Sequence, residues 1–91
     1  MKDHKVLRLL ADVVKTYEPK HWTFDSSRAA YFNAESVREW DELYDAFDWL
    51  TGTRAANRDT DAQHVNEWEW HGWTINVSVP RGAPTGYEAN A

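Results

Sequence analysis

Cysteine is missing from the sequence, which removes disulfide scaffolds, thiolate zinc sites and cysteine nucleophiles together. The four glycines and three prolines are scattered, so no glycine-rich loop is available to cradle phosphate. No stretch approaches the roughly 20 apolar residues of a membrane span. Near the start, Lys2, Asp3, Lys5 and Arg8 stand where a secretory signal would be apolar. Lysine does not recur after Lys20. The expectation from these absences is a cytoplasmic protein with no cofactor, no metal and no membrane contact.

What the chain does have is aromatic rings and acid. Its 91 residues fit one domain, and six tryptophans, four tyrosines and three phenylalanines supply enough buried area for a core without staples. The net charge of −5 is uneven. Residues 1–20 carry five basic and three acidic side chains, residues 21–50 two and seven, and residues 51–91 three and five. The acid is concentrated in the middle.

Half the tryptophans lie in Trp68-Glu69-Trp70-His71-Gly72-Trp73, which reads as a β-hairpin. With a two-residue loop at His71-Gly72, Trp70 falls opposite Trp73, Trp68 opposite Ile75 and Asn66 opposite Val77, gathering the apolar residues on one face. The other face pairs Glu69 with Thr74, Glu67 with Asn76 and Val65 with Ser78. A three-residue loop would set Glu67 and Glu69 opposite Ile75 and Trp73, so the hydrophobic pattern opposes it. Read this way, Trp68, Trp70 and Trp73 are core.

Earlier in the chain, Val6, Leu9, Leu10, Val13, Val14 and Tyr17 recur at helical spacing, with Asp3 as the expected N-cap and Pro19 ending the helix near Glu18. His21-Trp22-Thr23-Phe24 alternates like a short strand, Asp25-Ser26-Ser27 is turn chemistry, and Arg28 to Phe32 reads either way, Tyr31 and Phe32 suiting a second strand that pairs with the first and Ala29 and Ala30 a helical turn, with the strand preferred. Ser36-Val37-Arg38-Glu39 matches a capping box. Behind it Val37, Trp40, Leu43, Tyr44, Phe47 and Leu50 form an apolar helical stripe that Gly52 stops. Residues 53–63 lack any large apolar side chain and read as a surface loop. The expected fold is α+β, a two-layer sandwich with an antiparallel sheet of three or four strands and two helices on one face, in the order α-β-(β)-α-β-β. One globular domain spans residues 1–79, and residues 80–91 read as a flexible C-terminal tail.

Little in this pattern supports catalysis. Asp25-Ser26-Ser27 near His21 has no nucleophile elbow or oxyanion loop around it. His4, His21, His64 and His71 fit no metal-ligand spacing, and the hairpin would hold His64 about 20 Å from His71. Direct nucleic-acid binding through the tryptophans is not expected, because Glu67 and Glu69 stand beside the rings where phosphate contact needs cations. An enzyme is therefore not expected.

The acidic second helix is the sharper lead. Glu35, Glu39, Asp41, Glu42, Asp45 and Asp48 are opposed within that stretch by Arg38 alone. Asp41, Asp45 and Asp48 follow i, i+4, i+7 and stand about 4.5–6 Å apart along the axis, close to the step between phosphates on a nucleic-acid strand. The expectation is a small acidic protein-interaction module whose partner is another protein with a basic surface. Its contact would be this face together with Arg54, Arg58, Asp59 and Asp61 of the following loop. In a narrower form the module inhibits a nucleic-acid-binding protein by presenting phosphate-like carboxylates, as a phage or mobile element would use in a host cytoplasm. The alternative is an assembly protein that forms homo-oligomers through an apolar, Trp-containing surface.

Overall fold

In the computed structural model, which describes residues 1–87, the chain turns at His71-Gly72 with φ of +50° and +80°. Two successive positive φ values twist the turn to match the strands on either side. Strand β4 (Gln63–Trp70) thereby pairs antiparallel with β5 (Trp73–Pro80), setting Trp70 against Trp73, Trp68 against Ile75 and Asn66 against Val77. Pro80 closes the ladder opposite Gln63 at the last position of β5.

Ahead of this hairpin come α1 (Asp3–Tyr17), β1 (Trp22–Asp25), β2 (Ala29–Asn33), α2 (Val37–Thr51) and the two-residue β3 (Ala56–Asn57). Asp3 lies inside the first turn of α1, and Lys2 occupies the N-cap without a side-chain bond. The Asp3 carboxylate instead takes the Trp73 indole N–H at 3.3 Å and the Arg28 Nε–H at 3.1 Å. Helix α1 ends at Glu18 in the left-handed region, one residue before Pro19. Strands β1 and β2 form the expected hairpin, Trp22 facing Phe32 and Phe24 facing Ala30.

The sheet has five strands in the order β1-β2-β5-β4-β3 and is mixed, where three or four antiparallel strands were expected. Strand β2 runs parallel to β5, with Ala30 beside Ile75 and Phe32 beside Val77. The cause is α2. Its 15 residues span about 22 Å and carry the chain back along the sheet, a crossover of the length that parallel strands require. The fifth strand, β3, lies in the stretch read as loop, where Ala56 pairs with Glu67 and Asn57 with Asn66. Ladder bonds formed it without any apolar pattern.

One face of the sheet is apolar from Trp68 through the turn and along β5, with Asn66 the polar residue opposite Val77. Ala30, Phe32, Trp68, Trp70, Trp73, Ile75 and Val77 join Val6, Leu10 and Val13 of α1 and Leu43 and Phe47 of α2 in a single core. Trp68 is only 1% exposed; its ring meets Tyr44 and Phe47 at centroid distances of 5.2 and 5.7 Å, and its indole N–H donates to Asp48 at 3.0 Å. Each helix is thus keyed to a hairpin tryptophan by one aspartate, α1 through Asp3 and α2 through Asp48.

The serine half of the capping box forms as read, while the Glu39 carboxylate bonds one residue further back than the motif expects. Ser36 Oγ accepts from the Glu39 amide at 3.2 Å, and Glu39 reaches back to the Glu35 amide at 2.9 Å. Beyond β5, residues 83–87 run over this same helix start. The Pro84 and Thr85 carbonyls accept from the Val37 and Arg38 amides, and Tyr87 Oη donates to Asp41 at 2.6 Å. Residues 88–91 of the expected tail lie outside the described residues. Gly86 packs so closely that an added Cβ would stand 2.8 Å from Ser36 Oγ. Removing the cap with Ser36→Ala should lower stability by about 1 kcal/mol, read as a shifted urea midpoint with an unchanged slope.

Candidate partner-binding site

Most of the carboxylates singled out from the sequence are engaged within the chain. Glu35 holds His21 Nε2 at 2.6 Å and Lys20 Nζ at 3.3 Å. Glu39 accepts from the Glu35 amide, Asp41 accepts from Tyr87, Glu42 pairs with Arg38 at 3.4 Å, and Asp48 accepts from Trp68. Of the Asp41, Asp45, Asp48 ladder, Asp45 alone has no bonded or ion-paired partner among the described residues.

The loop residues divide in the same way. Arg58 approaches Glu67 at 4.0 Å. Asp59 gathers the Val65 amide at 2.8 Å, His64 Nδ1 at 3.0 Å and Arg81 at 3.6 Å, which pins the loop to β4. Arg54 and Asp61 are exposed and carry no such contact among the described residues.

Four carboxyls titrate low because their charged forms are hydrogen-bonded: Asp3 by the Trp73 indole and then Arg28, Asp25 by Ser27, Glu35 by His21 and then Lys20, and Asp59 by His64 and then the Val65 amide. Tyr87 is shifted the other way, its phenol held neutral by the bond to Asp41. Because the four acid groups titrate lower when folded than when unfolded, folding favours their charged forms. The stability they supply is fully present above the ordinary carboxylate range and drains away as pH falls through the lowered values. The melting temperature should therefore fall below about pH 4. Asp59→Asn should flatten part of that acid limb in a thermal melt series, and an unchanged limb would contradict the assignment.

A different surface stands out on the outer side of the helical layer. Trp49 is 86% exposed, although it projects from the same helix whose inner side carries Phe47 into the core. It borders a groove of about 380 Å³ between α1 and α2, walled by Leu9, Val13, Tyr17, Ala46 and Leu50. Asp12 from α1 and Asp45 from α2 also line it, and neither has a partner among the described residues. No family model, curated protein or solved structure matches this chain.

The groove combines an apolar floor, a free indole and two unneutralised carboxylates. Thr16 and Tyr17 add hydroxyls to its lining. Among the described residues no helix is long and apolar enough to cross a membrane. Sequence reasoning missed Trp49 because it lies off the apolar stripe of α2, at a position where the helix is otherwise polar. That displacement was itself the available signal.

Proposed function

We propose that this chain is a non-enzymatic protein-interaction module that receives a basic amphipathic segment of another protein in the groove between α1 and α2. The observation that carries the reading is Trp49, an 86% exposed indole beside an apolar groove. Tryptophan is the residue most enriched at energetic centres of interfaces, and its face attracts cations. Asp12 and Asp45 select the sign of the partner. A helix laid into the groove would place apolar side chains on Leu9, Val13 and Ala46 and a lysine or arginine between the two carboxylates. A second copy of the chain fits this groove poorly, since it would bring both copies' Asp12 and Asp45 together.

The narrower reading, inhibition of a nucleic-acid-binding protein, rests here on the same groove. A partner segment basic enough to bind phosphate would be occluded while docked, and nucleic acid should then compete for it. The test is mapping of amide and indole NMR shifts during titration with a lysine-bearing amphipathic helical peptide and with its glutamate-bearing counterpart. Shifts confined to the groove and the Trp49 indole, with the lysine peptide alone and weakening with salt, support the reading. Equal response to both peptides, or shifts elsewhere, overturns it.

A further inference from the structure

The two edges of the sheet are protected very differently. Strand β3 is two residues long and has Arg58 beside it. Strand β1 has four residues in unbroken register with β2, with no bulge, no proline and no lysine inside it. Such devices are what keep an edge from pairing with another chain. The bond from the Asn33 amide to the His21 carbonyl, at 2.9 Å, fixes which groups of β1 face inward. His21, Thr23 and Asp25 turn their backbone groups to β2, so those of Trp22 and Phe24 point outward along the free edge.

We propose that this edge pairs with β1 of a second copy, antiparallel about a two-fold axis at Thr23, joining two sheets into one. The outward groups allow few registers, and the symmetric one centred on Thr23 sets Trp22 of each copy opposite Phe24 of the other. In that register both residues exchange their backbone bonds. Trp22 is 44% exposed in the isolated chain and its ring already leans on Phe24 at 5.1 Å, so the pairing extends an existing aromatic cluster across the join. On the open face of the sheet, the same register puts His21 opposite Asp25 of the other copy. The Lys20-His21 end of one strand, which Glu35 of its own copy also holds, thus meets the Asp25 end of its mate. Parallel pairing would instead place like ends together. This surface shares no residue with the Trp49 groove and leaves it open, so the inference stands independently of the proposed partner.

Thr23 makes the test direct. It is exposed, and its side chain has no bond among the described residues. Thr23→Lys would place two ammonium groups against each other on the axis while the monomer fold is untouched. Thr23→Cys would place two thiols at a non-hydrogen-bonded pair, whose Cα separation of about 4.5 Å lies within disulfide range. With no other cysteine in the chain, the product is unambiguous. Sedimentation equilibrium should show a reversible dimer that Thr23→Lys weakens by about fivefold or more and Trp49→Ala leaves intact. Mild oxidation should cross-link Thr23→Cys far faster than the exposed helix control Ala11→Cys. A strict monomer at the highest soluble concentration with equal cross-linking of the two cysteine variants overturns the proposal. So does a dimer lost with Trp49→Ala but kept with Thr23→Lys.

Discussion

Trp49→Ala should weaken binding of a basic helical partner by about thirtyfold or more while leaving the unfolding midpoint in place. The two halves of this expectation have separate causes. Because the indole is 86% exposed, its removal withdraws little area from the core, and alanine is the better helix former at a solvent-facing position. The partner, in contrast, loses a large rigid anchor and a cation-binding face together. Charge reversal at Asp12 and Asp45 should act through the other term, lowering the association rate and inverting the salt dependence. Isothermal titration at two salt concentrations separates these effects. Wild-type affinity in Trp49→Ala would remove the groove from consideration, and an unchanged salt slope in the reversal variant would remove its acidic rim.

The opposite outcome is expected for a tryptophan that meets the inner side of the same helix. Trp68→Ala should cost about 3–5 kcal/mol, the range for emptying a buried large aromatic site. For a chain of this size that is about a fifth or more of a total of about 5–14 kcal/mol. The loss has several parts: ring contacts with Tyr44 and Phe47, the cavity left between α2 and the sheet, and the bond that fixed Asp48. Asp48→Ala isolates the last of these. It strands the Trp68 N–H in a site 1% exposed and should cost about 1–3 kcal/mol. Urea unfolding followed by far-ultraviolet circular dichroism measures both. A shift for Trp68→Ala no larger than that for Asp48→Ala would mean the ring packing contributes little, against the reading of the hairpin as the anchor of the helices.

Much of the fold was legible because its strongest signals are local. The hairpin register followed from which residues a two-residue turn sets opposite one another, and every cross-strand pair read from the sequence between Val65 and Ser78 is present. Helix α2 could be read at both ends, from the Ser36 cap to the left-handed Gly52. The parallel β2–β5 ladder was not legible, because strand direction is decided by where a crossover delivers the chain. Nothing within Ala29–Asn33 or Thr74–Ser78 specifies the direction of its neighbour. Strand β3 escaped for a related reason: it forms by backbone bonds on polar residues, with no periodic pattern to betray it.

The candidate site was legible only as charge. Sequence gives the helical spacing of Asp41, Asp45 and Asp48, and it cannot show that Tyr87, far along the chain, bonds the first or that an indole takes the last. Likewise Asp12, ordinary on the polar side of α1, gains meaning only when α2 brings Asp45 to the same groove.

The place of β5 bears on how the molecule comes into being. The last strand among the described residues, β5, is the middle strand of the sheet, with β2 on one side and β4 on the other. Until it is made, the β1–β2 hairpin and β4 have no ladder between them, and Phe32 and Trp68 have no shared floor. A nascent chain that stops short of Trp73 can therefore hold only the β1–β2 and β3–β4 ladders, as two separate fragments with oily faces. Joining those fragments into one sheet waits for β5, and a chaperone meeting the emerging chain would find their apolar faces bare until that strand slots between them.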